Sequence, residues 1–183
     1  MISLISGVIL FAAAHFAHRF LPFLAAVPDI PRKIIIALVL FFSVWLMIQG
    51  YGEASAEVLW TVPTAVRHVG IVLMVAAFIS YMGSYPGSAL RARIRHPQLT
   101  GFKLWALIHL VVNGDVRSVI LFGGLLVWAV VQVIVLNRAS GKPPLPAASE
   151  NTLKAWASIP IGLAAWVALL LGHSWLFGVS PLG

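Results

Sequence analysis

The chain has 183 residues, of which 61% are apolar and 9% charged, and its mean hydropathy is +0.99, which excludes an ordinary soluble domain. It has no cysteine and only five carboxylates (Asp29, Glu53, Glu57, Asp115, Glu150). Disulfides, thiolate metal sites, covalent c-type haem and mechanisms built on paired acids are therefore excluded. The net charge of +7 comes from Lys and Arg scattered over loops between apolar runs, a pattern of membrane topology and not of nucleic-acid binding.

A bilayer core about 30 Å thick needs roughly 20 apolar residues per helix. In chain order the apolar runs predict spans over 2–23, 34–50, 66–83, 98–113, 117–136 and 155–177. The expected fold is all-α, a polytopic integral membrane protein with a bundle of about six transmembrane helices in a single domain, 1–183. Pro22, Pro28 and Pro31 separate the first two spans; Gly50, Gly52 and Pro63 separate the next pair; Gly83, Pro86 and Gly87 close the third. In "NGDVRS" Gly114 suits a left-handed turn and Asp115 is placed to cap the following helix near Ser118, so spans four and five are expected to form an antiparallel hairpin. "GKPPLPAAS", 141–149, reads as a linker. Residues 1–23 lack the basic start of a signal peptide and are expected to be a true span.

The loops after spans one, three and five hold Arg19, Arg32, Lys33, Arg91, Arg93, Arg95, Lys103, Arg138, Lys142 and Lys154, against Arg67 and Arg117 on the other side. Ten against two places the basic loops in the cytoplasm and both termini outside.

Ionisable groups inside a bilayer are costly and face the bundle interior, so the histidines are the natural candidates for function. His15 and His109 lie inside spans, whereas His18, His68, His96 and His173 fall at or near span ends. Two imidazoles from different helices, without cysteine or acid, form the donor set of a b-type haem. Phe11, Ala12, His18 and Arg19 share the face of His15, and Arg19 and His18 are placed to meet propionates. Trp105, Ala106, Val112 and Asn113 share the face of His109, and Trp105 suits a porphyrin edge. Depth along the helices leaves two rival pairs, His15 with His96 and His68 with His109. Pro97 is suited to open the fourth helix, putting His96 in its cap and, with Arg91, Arg93 and Arg95, in a basic cytoplasmic mouth for a phosphate or a propionate.

"RHPQLTGFKLWALIHLVVNGD", "WLMIQGYGEAS" and the closing "HSWLFGVSPL" resemble the patterns of the NnrU family, and the resemblance extends over essentially the whole chain. That family is related to 15-cis-zeta-carotene isomerases, integral membrane proteins with a b-type haem. By motif position the resemblance implies His15 and His109 as axial ligands, with Phe16 where the isomerases have a serine after the first ligand. It also implies a link to nitrite and nitric oxide metabolism in denitrification. The expected ligands at the iron are a polyene or a nitrogen oxide.

Two other functions compete. Membrane methyltransferases and reductases of the isoprenylcysteine methyltransferase kind also carry R-H-P at a cytoplasmic helix start, but Leu99 and Thr100 replace their following tyrosine pattern and 116–136 holds no acid. A non-catalytic assembly factor would use Gly123 and Gly124 to pack against membrane partner proteins.

Overall fold

The computed structural model describes residues 1–21, 23, 26–141 and 144–182, the side chain of His18 excepted; Pro22 and Lys142 lie outside the described residues. The described chain is helical, with no strand and one isolated backbone bridge between Val58 and Asp115. Six helices carry it: α1 (Ile2–Phe20), α2 (Asp29–Glu53), α3 (Thr64–Met82), α4 (Pro97–Val112), α5 (Val116–Ser140) and α6 (Thr152–Phe177, with a turn at Ala157).

Among the described residues four of them, α2, α3, α5 and α6, are long and apolar enough to cross a membrane. α1 carries the shorter apolar stretch Ile2–Ala17, and α4 has 16 residues, about 24 Å at 1.5 Å per residue. Large apolar side chains point outward, among them Phe41 at 76% and Leu171 at 73% exposure, while Ser43, Ser88, Ser118 and Ser158 are fully buried. That inversion is how helices pack in lipid, where small residues let backbones approach and bulky ones meet acyl chains. The protein is thus suited to a membrane.

Pro63 and Gly83 bound α3 as expected, but the punctuation around α2 differs. Pro28 is the N-cap of α2 and Pro31 lies in its first turn, where a missing N–H costs nothing, so the helix begins at Asp29 instead of 34. Asp29 sits at the positive end of the helix dipole and pairs with Arg32. Gly50, expected to break the chain, is inside α2; a Cβ there would lie 2.2 Å from the Leu4 nitrogen.

The chain divides into two compact units, 1–60 with 113–128 and 61–112 with 129–183. In the first, α1 crosses α2 with Gly7 against Ser43 and Met47, and Leu4 against Gly50, so the two run antiparallel. The start of α5 lies on the other contact of α1: a Cβ on Gly124 would meet Val8 at 2.7 Å. Residues Val119–Gly123 of α5 form a π-helical turn, a local insertion that rotates everything after it relative to Ser118. At the same end Tyr51 Oη and Ser118 Oγ are 2.8 Å apart, and Arg117 lies over the Tyr51 ring at 4.5 Å and donates to the Tyr51 carbonyl. Asp115 caps α5 as expected, accepting from the Ser118 N–H at 2.8 Å. Gly114 does not take a left-handed conformation; glycine is required because a Cβ would sit 1.8 Å from the Trp60 carbonyl oxygen. Its own carbonyl accepts from Leu59 and Trp60.

In the second unit α3 is the centre. Gly101 of α4 fits against the backbone of Ala77 and Tyr81, and Gly70 of α3 against Ile108 and Val112, so α3 and α4 run antiparallel. Gly162 of α6 sits against Ile79, and Trp166 Nε1 donates to the Ile71 carbonyl at 3.1 Å, so α6 also runs opposite to α3. The loop between α3 and α4 is tied to the start of α6. Tyr85 donates to the Lys154 carbonyl and accepts from the Ser158 N–H, and the Ala89 N–H donates to Ala155.

Candidate functional site

His15 and His109 share one local arrangement. In an α-helix the carbonyl at i−4 lies beside the side chain at i. The Nδ1–H of His15 donates to the Phe11 carbonyl at 2.9 Å, and that of His109 to the Trp105 carbonyl at 3.0 Å. A metal-binding histidine is held in this way: one ring nitrogen is fixed on the backbone, and coordination falls to the other, Nε2.

The walls around the two rings differ. His15 is half-buried in the first unit, its ring 4.4 Å from Phe11 and 4.5 Å from Trp128, with Phe11 and Trp128 4.9 Å from each other. Trp128 comes from α5, far along the chain, and is only 7% exposed. His109 is half-buried in the second unit, its ring 4.9 Å from Trp105 on its own helix, with Phe102 one turn further at 5.2 Å from Trp105. His173 of α6 lies within electrostatic reach of His109, and its Nδ1 donates to the Val179 carbonyl.

The other candidates fall into place around these. Arg19 is exposed one turn beyond His15, and the His18 side chain lies outside the described residues. His96 precedes Pro97, the first residue of α4, and its carbonyl accepts from Thr100, as its expected cap position requires. Its Nε2 is 3.0 Å from Asn137 Oδ1, so that nitrogen is already engaged. His68 is exposed on the first turns of α3. In the two rival pairings, His96 is bonded to Asn137 and His68 is exposed. In the basic loop Arg95 is half-buried, Arg91 donates to the Ser84 carbonyl, and Arg93 donates to the Ala89 carbonyl and lies over Trp156 at 5.3 Å.

The sequence reading missed Trp128 and Asn137, and set His173 aside as a span-end residue. Trp128 and Asn137 do carry a signal, an aromatic ring and an amide in a mostly aliphatic helix, but not their partners' addresses. Among the described residues no cluster of three or more His, Asp or Glu is gathered to hold a bare metal ion. The donor chemistry present is one carbonyl-anchored imidazole in an apolar helix of each unit.

No curated protein and no solved structure matches the chain. The family described as NnrU protein matches residues 3–181 of the 183, and with a match of that extent the chain belongs to the NnrU family.

Proposed function

We propose that this NnrU-family chain is a haem b protein of the bacterial inner membrane, with His15 and His109 as axial ligands. In this reading it crosses the bilayer six times with both termini periplasmic, which the alternating helix directions inside each unit support. The observation that carries the ligand assignment is the matched pair of Nδ1 bonds to the Phe11 and Trp105 carbonyls, which direct coordination to Nε2 in both residues. Haem, when bound, would supply a redox-active iron.

The chain's residues bind and orient it. Arg19 and His18 near the end of α1, and Arg95 beside His96 at the start of α4, offer cationic or polar partners for propionates. Trp105 offers a flat apolar wall to the porphyrin edge. The ligand classes that suit such a centre are a polyene double bond or a nitrogen oxide. The protein is thus either a haem-dependent cis-trans isomerase or an accessory factor in nitrite and nitric oxide metabolism.

Absorption spectra of the detergent-purified protein from haem-replete cells, oxidised and dithionite-reduced, test the reading. A b-type Soret band that each of His15→Ala and His109→Ala weakens is the expected result; a colourless wild-type preparation refutes it. Titrating the reduced protein with nitric oxide and, separately, with a cis polyene then distinguishes the two ligand classes by which one perturbs the band.

A further inference from the structure

We infer that Trp128 is a positioning residue for His15: it fixes the plane of the imidazole from a different helix, while the Phe11 carbonyl fixes its direction. The consequence for iron rests on the haem reading above; the positioning itself does not. The Nδ1 bond to Phe11 is a single point of attachment, about which a ring can still tilt. Phe11 and Trp128 supply the missing restraint, because the three ring centroids form a nearly equilateral triangle of 4.4, 4.5 and 4.9 Å, so that His15 packs into a corner between two walls.

The rest of the first unit sets where that second wall stands. Gly124, one turn before Trp128, lets α5 approach Val8 of α1, and Val8 is two turns before His15. The contacts Val8 with Gly124 and His15 with Trp128 advance together, so α1 and α5 run in the same direction here. The π-helical turn Val119–Gly123 sets the phase: it allows Ser118 to face Tyr51 while Trp128 faces His15. Trp128 is also almost wholly enclosed at 7% exposure, so its indole has little room to yield.

In a haem with two imidazole ligands, the orientation of each ring plane governs the anisotropy of the ferric iron. Trp128→Leu keeps apolar bulk but removes the flat wall, and Trp128→Phe restores an aromatic one. In the coloured protein, low-temperature electron paramagnetic resonance is expected to show a shifted or split largest g value for Trp128→Leu, near-wild-type values for Trp128→Phe, and unchanged haem content in both. An unshifted single g value in Trp128→Leu overturns the inference while leaving the haem reading intact. Should the wild type prove colourless, histidine-labelled protein assigned with His15→Ala decides the same point by nitrogen magnetic resonance. One sharp set of His15 ring signals in the wild type and Trp128→Phe, broadened or doubled in Trp128→Leu, supports the positioning role, and equally sharp single sets in all three overturn it.

Discussion

His15 and His109 begin from the same local bond and end in different surroundings. His109 takes its aromatic neighbour, Trp105, from its own helix one turn away, whereas His15 takes one wall from its own helix and the other from α5, more than a hundred residues along the chain. A ring braced within one helix moves with that helix. A ring braced by two helices holds only while both keep their register, so the first unit's site depends on the glycines that set the crossing and the second unit's site much less so.

The sharpest way to break this contrast is at the glycine crossings themselves. Gly50→Ala forces a Cβ to within 2.2 Å of the Leu4 backbone, and Gly101→Ala forces one to within 2.4 Å of the Ala77 carbonyl. Backbone cannot swing aside as a side chain does. Each variant is expected to lose stability at or beyond the upper end of the about 1–3 kcal/mol typical of overpacking, read as a lower unfolding temperature in detergent. Gly50→Ala is expected also to disturb the environment of Trp128, seen in its fluorescence, and Gly101→Ala to leave it unchanged.

A smaller effect is expected at the start of α5. Tyr51→Phe removes the hydroxyl facing the fully buried Ser118 and is expected to cost about 1–3 kcal/mol, the penalty for a buried polar group left without its partner. Equal unfolding temperatures for Tyr51→Phe and wild type would show that this hydrogen bond does not hold the π-helical turn in phase.

Smaller still is the His96 and Asn137 pair. A double-mutant cycle with His96→Leu and Asn137→Leu is expected to give a coupling of about 1 kcal/mol in unfolding measurements, with haem content unchanged. Loss of haem in His96→Leu would return His96 to the ligand candidates. Least of all, Gly123→Ala meets nothing within 4 Å and is expected to be neutral or to stabilise by up to about 1 kcal/mol, whereas Gly124→Ala displaces Val8 and lowers the melting temperature. The two adjacent glycines thus separate helix packing from composition.

What could be read from the sequence follows the reach of the interactions. The i−4 bonds of His15 and His109 and the Asp115 cap are local; apolar runs placed the two histidines in helices, and turn chemistry placed Asp115 at the cap. Helix positions were legible from apolar runs, but the start of α2 was not, because Pro28 and Pro31 punctuate a helix start as readily as a loop. Gly114 was assigned for backbone freedom when close approach of Trp60 is what requires it. Trp128 at His15, Asn137 at His96 and Tyr51 at Ser118 join residues 41 to more than a hundred positions apart, and one sequence does not encode such pairings in any spacing. The same limit applies to span number: among the described residues four helices satisfy both length and hydropathy, while α4 stops at 16 residues because Asn113, Gly114 and Asp115 turn the chain.

The central claim is that two imidazoles, anchored on backbone carbonyls, hold one iron through their Nε2 atoms. Magnetic circular dichroism of the oxidised protein in the near infrared measures it most directly, since the charge-transfer band of low-spin ferric haem reports its axial donors. A bis-imidazole band in the wild type, abolished in both His15→Ala and His109→Ala and retained in His96→Leu, is the result predicted. A bis-imidazole band that survives either alanine substitution contradicts it.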